Sequence, residues 1–283
     1  MSQFRVTYEA ALPVGADVVI APAGLTTPQG GCLGFDAEGA EVTKTTEAQT
    51  GQGAYRVTPA GDSIALTWTF EDATTGAYPE VMFEPRDTRF TRFADALAVE
   101  AREAARNLRG VDRATALACA AADRFTYGHP EDRFNDGMDA IPALGCGLTE
   151  GSCVDINTYF IASLRAAGIE AGYVTGFFFP AEKRNHCEDG HCWVVTRIGG
   201  EPQEWDIAHH LKLGTRDIKP GLNPKPGFRA ACFHSMGLDF PTLGVKELKA
   251  LIEPVALVDG SVQHFEAPQI RLRHPGLVAT AAE

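Results

Sequence analysis

Three residues of this chain, Cys153, His191 and Asp206, have the types and the order of a nucleophilic triad. Cys153 lies where a segment with helical spacing begins, and the unpaired N–H groups and positive dipole end of a helix N-terminus favour a thiolate. A histidine can take the proton of the thiol, and a carboxylate can orient that histidine and stabilise its charge. The three residues therefore predict an enzyme with a cysteine nucleophile.

The helix that would carry the nucleophile is predicted over residues 153–167. Ser152 precedes it as the N-cap, and Asp155 follows three residues later in a variant of the capping box. Gly168 is the expected end of the helix. Cys153 thus falls in the first turn, where its own backbone N–H is an expected oxyanion donor. Asp155 is interpreted as an anion that favours the helix dipole.

The other two triad residues lie on segments that alternate like strands. Strands are predicted at residues 171–179, 192–198 and 204–210, the last two joined by a Gly-rich connection. If that connection has an even number of residues, His191 and Asp206 lie on one face of the sheet, and only then can they meet. The pair His209-His210 is interpreted as one inward and one outward strand residue.

The N-terminal part of the chain has a different pattern. Residues 1–88 alternate apolar and polar side chains between Gly- and Pro-containing turns, which predicts a small β-rich domain. Helical spacing begins near Phe93. Gly110 is the expected end of the first helix, and Asp112 the expected N-cap of the second.

Composition excludes several classes of protein. The 283 residues have a net charge of −12, which argues against nucleic acid or an anionic membrane as the main partner. No apolar run approaches membrane-spanning length, and the N-terminus lacks the features of a signal peptide, so a cytoplasmic location is expected. The seven scattered cysteines do not resemble a disulfide framework, and most are expected to be reduced. The oligomeric state is left open.

A second cluster competes for one triad residue. His186-Cys187 and His191-Cys192 flank a short acidic loop, and their nitrogen and sulfur atoms suit zinc. However, adjacent residues of a strand point to opposite faces, and the spacing fits no common zinc finger. We therefore favour a loop at the rim of the cleft, with no metal and no cofactor. A disulfide between Cys187 and Cys192, or between Cys146 and Cys153, stays an open alternative.

The motifs around the triad resemble those of the bacterial transglutaminase-like family. The residues that carry the resemblance are Gly151-Ser152-Cys153-Val154-Asp155, Leu164-Arg165-Ala166-Ala167-Gly168-Ile169, Tyr173-Val174-Thr175-Gly176, His191-Cys192-Trp193 and Trp205-Asp206. The resemblance implies an α+β fold, with a papain-like core of helices packed on an antiparallel sheet behind an N-terminal β domain. It also implies a transglutaminase-like catalytic core at residues 89–253 and a strand-like C-terminal extension at residues 254–283.

The resemblance implies a role for each triad residue. Cys153 would attack a peptide or carboxamide carbonyl, His191 would act as general base and then acid, and Asp206 would orient the imidazole. Water would then hydrolyse the thioester, while an amine would give acyl transfer. Animal transglutaminases use a Trp ahead of the nucleophile, and none lies in the loop before Cys153, so hydrolysis of a peptide, protein or small amide is favoured. The non-enzymatic alternative is a binding module or a zinc-dependent scaffold.

Overall fold

The computed structural model describes residues 2–72, 76–221 and 224–274, which form four α-helices and eighteen β-strands. The helices are α1 (Asp95–Ala104), α2 (Gly110–Ala122), α3 (Cys153–Ala166) and α4 (Ile207–Lys212). The strands are, in chain order, β1 (Gln3–Ala11), β2 (Val18–Pro22), β3 (Gly30–Glu38), β4 (Ala40–Thr46), β5 (Gly53–Pro59), β6 (Ser63–Asp72), β7 (Phe125–Tyr127), β8 (Thr149–Gly151), β9 (Glu170–Pro180), β10 (His186–Cys187), β11 (Gly190–Ile198), β12 (Glu201–Trp205), β13 (Gly227–His234), β14 (Leu238–Phe240), β15 (Val245–Leu248), β16 (Val255–Val258), β17 (Ser261–His264) and β18 (Gln269–Arg273).

The centre of the fold is a four-stranded antiparallel sheet in the order β12-β11-β9-β13. Helix α3 packs on it, with α1 and α2 against the other sides of α3. Apolar residues from all three helices and from the sheet form one core, with Ile156 and Phe160 of α3 fully buried in it. Twelve of the fourteen residues of α3 are buried, which explains why the apolar residues of this helix are not confined to one stripe. The α+β fold that the sequence predicted is confirmed.

Two five-stranded sheets lie beside this core, in the orders β10-β18-β1-β6-β3 and β17-β16-β2-β5-β4. Along β1 the apolar side chains Phe4, Val6 and Tyr8 are buried and their neighbours are more exposed, as the alternation predicted. Strands from the two ends of the chain pair directly, β1 with β18 and β2 with β16. The domain boundaries at residues 88 and 253 stay predictions, and residues 275–283 of the predicted extension lie outside the described residues.

Two helix boundaries differ from the prediction. Helix α1 ends at Ala104, and Gly110, the expected end of the first helix, instead begins α2 with a φ of 55°. Asp112 lies inside the first turn of α2 rather than before it, where its charge still favours the positive end of the helix. Within the described residues, no helix is long and apolar enough to cross a membrane.

The segment after β12 is not the strand that the alternation predicted. β12 ends at Trp205, and residues 207–212 form α4, which begins after Asp206. Asp206 is the N-cap of this helix, because its Oδ1 accepts a hydrogen bond from the backbone N–H of His209 at 3.0 Å. His209 and His210 are therefore both buried on a helix, and the interpretation of one inward and one outward strand residue is wrong.

Candidate active site

The start of α3 is built as the sequence predicted. Cys153 is the first residue of the helix, and Asp155 Oδ2 accepts a hydrogen bond from the backbone N–H of Ser152 at 2.9 Å. Arg133 binds the same cap, since its Nη1 lies 2.6 Å from Asp155 Oδ2 and 2.7 Å from Ser152 Oγ. The cap fixes the first turn of the helix, and the Cys153 side chain with it. Cys153 is 6% exposed.

The structure brings His191 and Asp206 into contact. The connection between β11 and β12 is the two-residue turn Gly199-Gly200, and Val194 pairs with Trp205, so His191 and Asp206 lie on the same side of the hairpin. His191 Nε2 lies 2.8 Å from Asp206 Oδ2, with both side chains buried. This leaves His191 Nδ1 for the thiol of Cys153, and the interaction with that thiol helps to raise the pKa of His191.

The environment of the pair fixes its charges. Burial alone would raise the pKa of Asp206, but the charges of His191 and Arg229 hold it well below its usual value. Burial lowers the pKa of His191, and the charge and hydrogen bond of Asp206 more than offset that effect, so the pKa is raised. Asp206 is therefore a carboxylate, and His191 accepts a proton more readily than an ordinary histidine.

A second thiol contacts the nucleophile. The hydrogen bond to Cys192 raises the pKa of Cys153, burial raises it further, and the interaction with His191 lowers it by less, so that the thiol pKa lies well above its ordinary value. Asn157, one turn further along α3, donates to the carbonyl oxygen of Cys192 at 2.9 Å and to its Sγ at 3.4 Å. The sequence predicted a bias toward thiolate, whereas the structure gives a neutral thiol at rest that depends on His191 to lose its proton.

Two residues of this site were absent from the sequence prediction. An Nη2 of Arg229, on β13, contacts Asp206 Oδ2 and lies 3.2 Å from His209 Nδ1. The His209 ring stacks on the His191 ring, with centroids 4.2 Å apart and an angle of 4° between the planes. Asp206 is a residue type favoured at the N-cap, and a helix starting after it would have placed His209 in the first turn. No local signal indicates Arg229, which reaches Asp206 only through the pairing of β13 with β9.

Comparison with protein families finds a match over part of this chain. Residues 95–206 match the family model of the transglutaminase-like superfamily. The matched region begins at the first residue of α1, includes Cys153 and His191, and ends at Asp206. The chain contains a transglutaminase-like domain. No protein of curated function matches it in sequence.

A solved structure shares the fold of this chain, and another is less similar to it. A proposed cysteine protease from Cytophaga hutchinsonii is 14% identical in sequence, with a TM-score of 0.53, 96% of this chain covered and 97% of the other. The periplasmic domain of TgpA from Pseudomonas aeruginosa is 14% identical, with a TM-score of 0.37 and coverage of 76% of this chain and 90% of that domain. At such low identity, the first of these likenesses shows the fold alone.

One group of side chains has donor atoms close enough together to hold a metal ion. The donor atoms of His191, Asp206 and His209 lie within 4.8 Å of one another, the only such group of His, Cys, Asp and Glu that the described ranges contain. The guanidinium of Arg229 already contacts the same Asp206 oxygen, so a metal ion there would meet a fixed positive charge. The predicted zinc alternative shares only His191 with this group: Cys187 is buried in a separate core, while Cys192 lies against α3.

A cleft of about 100 Å³ opens onto His191 and His209. It is lined by Phe178, Pro180, Lys183, Cys187, Glu188, Asp189, His191, His209, Lys212 and Lys225. Lys212 Nζ lies 4.2 Å from the centre of the Tyr127 ring. Burial raises the pKa of the Tyr127 hydroxyl. The cleft gives a substrate access to the imidazole side of the site.

Proposed function

We propose that this protein hydrolyses a peptide or carboxamide bond through a thioester on Cys153. The observation that carries the proposal is the contact of His191 Nε2 with Asp206 Oδ2 at 2.8 Å, while the same imidazole interacts with a cysteine at the start of a helix. A nucleophile, a base and a group that orients the base are the three parts that nucleophilic catalysis requires. The likeness in fold to a proposed cysteine protease agrees with this chemistry.

The first half of the reaction begins at the thiol. His191 takes the Cys153 proton as Sγ attacks the carbonyl carbon, and the imidazolium that forms is stabilised by the carboxylate of Asp206. The negative charge that develops on the carbonyl oxygen meets the N-terminus of α3, where the backbone N–H of Cys153 is in the first turn. His191 then gives its proton to the leaving amine, and the C–N bond breaks.

The second half returns the enzyme to its starting state. Water enters on the cleft side of His191. The imidazole removes a proton from this water as the water oxygen attacks the thioester carbonyl. The C–S bond breaks, the carboxylic acid leaves, and the proton held by His191 returns to Sγ. Because Cys153 is a neutral thiol at rest, both halves depend on the proton affinity of His191.

The test is the alkylation of Cys153 by iodoacetamide across pH, followed by peptide mass spectrometry. We expect that His191→Asn slows the labelling of Cys153 at neutral pH by roughly 100-fold, since general base assistance has that order of magnitude. The exposed Cys146 and the half-buried Cys119 serve as internal references in the same samples. If His191→Asn leaves the rate at Cys153 unchanged, the thiol is not activated by this histidine and the proposal fails.

A second measurement addresses the acyl-enzyme itself. With an activated ester as substrate, intact-protein mass spectrometry of the quenched reaction should show one added acyl group, and Cys153→Ala should abolish it. Added amine distinguishes hydrolysis from acyl transfer, because both proceed from the same thioester. We expect the free acid as the main product. Acylation that persists in Cys153→Ala would contradict the proposed nucleophile.

A further inference from the structure

Asp206 binds more groups than a triad carboxylate needs. Its Oδ1 caps α4, while Oδ2 accepts from His191 Nε2 at 2.8 Å and contacts Arg229 Nη2. His209 Nδ1 lies 2.9 Å from the same Oδ2. One carboxylate oxygen is thus shared by the imidazole that performs acid–base chemistry and by a permanent cation, since arginine stays protonated in proteins.

Arg229 is held rigidly in this position. Its side chain is 5% exposed and lies over two aromatic rings, with Cζ 4.8 Å from the centre of Phe178 and 5.0 Å from the centre of Trp193. Both rings face the site, because Trp193 stacks near His191 and Phe178 packs against His209. Cation–π contacts at a buried guanidinium fix its plane as well as its charge. The arginine is therefore part of the site rather than a surface residue that reaches into it.

We propose that Arg229 is a positioning residue of the proposed hydrolase: it holds Asp206 Oδ2 against His191 and limits how tightly the His191–Asp206 pair binds a proton. This inference rests on the proposed function. A buried carboxylate with no other partner would hold the imidazolium so strongly that His191 would release its proton slowly to the leaving amine. A fixed positive charge on the same oxygen opposes that effect, and it also favours the thiolate of Cys153.

Removal of the Arg229 charge changes the pKa of His191 and the pKa of Cys153 in the same direction. The titratable groups around the imidazole are Cys153 from α3, Asp206 and His209 at the start of α4, and Arg229 from β13, while the cleft onto which it opens is lined by Lys183, Glu188, Asp189, Lys212 and Lys225. Burial lowers the pKa of His209 to about 4, so His209 is neutral near pH 7. Arg229 is the permanent cation that contacts Asp206 Oδ2, and its removal raises the pKa of both His191 and Cys153.

The size of the effect follows from the shared oxygen. Two groups bonded to one carboxylate oxygen are roughly 5 Å apart, and a unit charge at such a distance shifts a buried pKa by about one to two units. The midpoint of the pH–rate profile for Cys153 belongs to the coupled pair of Cys153 and His191 rather than to one of them. Because both values rise when the cation is lost, the midpoint moves to higher pH whichever proton it reports.

The experiment compares Arg229→Gln and Arg229→Lys with Arg86→Gln as the matched control. Arg86 is also a buried arginine paired with a buried carboxylate, Glu47, and it lies outside the site. The readouts are the pH profile of Cys153 alkylation and the melting temperature. We expect R229Q to move the midpoint of the pH profile up by about one pH unit or more. R86Q should lower the melting temperature and leave the midpoint of the pH profile unchanged. R229K should keep the midpoint within a few tenths of a pH unit, since lysine keeps the positive charge. Its Cys153 should react more slowly, since lysine lacks the planar guanidinium that orients Asp206.

Each possible result of these measurements either supports or contradicts the role proposed for Arg229. If R229Q has the wild-type midpoint while its Cys153 labelling still depends on His191, Arg229 is structural and the inference is wrong. If R229Q does not fold, R229K alone decides, because a midpoint moved by a full unit or an unchanged rate would each contradict the assigned role. Labelling of wild-type Cys153 that does not depend on His191 would instead overturn the proposed function, so the two failures are distinguishable.

Discussion

Replacement of Asp206 by Asn separates the charge of this residue from its shape. Asn keeps a side-chain oxygen that can cap α4, since Asn and Asp are equally good N-caps, so the cap contributes almost no loss. The substitution removes the negative charge of Asp206, whose Oδ2 lies 2.8 Å from His191 Nε2 and also contacts Arg229. An opposite charge at such a distance raises the pKa of a histidine, so we expect that of His191 to fall by about one to three units.

The two consequences of this substitution have different magnitudes. Loss of the carboxylate that orients a catalytic histidine costs roughly 10⁴-fold in rate, which sets the order of magnitude for acylation of Cys153. Stability should fall by about 3–5 kcal/mol, because Arg229 is left buried without its carboxylate. Asp206→Ala should lose about 1 kcal/mol more, since it also removes the N-cap of α4.

The assay is the burst of acyl-enzyme with an activated ester, measured alongside the pH profile and urea unfolding of the same samples. His191 has a raised pKa when folded, so its contribution to stability is complete below the unfolded value near 6.5 and is lost as pH rises through the folded value. In Asp206→Asn that dependence should disappear. A folded Asp206→Asn protein that acylates within tenfold of wild type would refute the assigned role.

Three further changes test other contacts. Cys192→Ala removes the hydrogen bond that raises the pKa of Cys153, so Cys153 should be alkylated faster at neutral pH, while Cys232→Ala, at another fully buried cysteine, should leave the rate unchanged. Burial lowers the pKa of His234 to about 4, so the contribution of this histidine to stability is fully present above pH 6.5. The free energy of unfolding should fall by about 3 kcal/mol as the pH is lowered toward 4. Thermal unfolding of His234→Gln across this pH range should show a smaller loss. Gly176→Ala would place a Cβ 2.0 Å from a carbonyl oxygen of β13, so the melting temperature should fall by about 10 °C or more.

The sequence was sufficient for the features of this site that depend on local patterns. The Ser152–Asp155 cap, the first-turn position of Cys153 and the even connection in the hairpin each depend on residues a few positions apart, and the structure has all three. The second thiol at Cys153 was not predictable in the same way. Cys192 alternates away from His191 along β11, and only the packing of α3 on the sheet brings its sulfur to Cys153.

The end of β12 shows why the alternation failed where it did. Residues 204–210 alternate well enough for a strand, but an Asp with free N–H groups after it starts a helix when the following residues can be buried on one side. Here Ile207 and Ala208 are buried, so tertiary packing decides for α4. Because residues 207–210 were predicted to be a strand, His209 was not predicted as a site residue. It lies at the third position of α4.

The cap of α4 and the proposed chemistry use the same carboxylate, and this explains its geometry. Because Oδ1 of Asp206 is held by the backbone N–H of His209, the carboxyl plane is fixed by the helix, and only Oδ2 remains to face His191. A free aspartate on a strand would lose that orientation and pay for it in side-chain entropy. Arg229 then fixes the remaining oxygen from the far strand β13. The position of the imidazole thus depends on one local and one long-range contact to a single side chain.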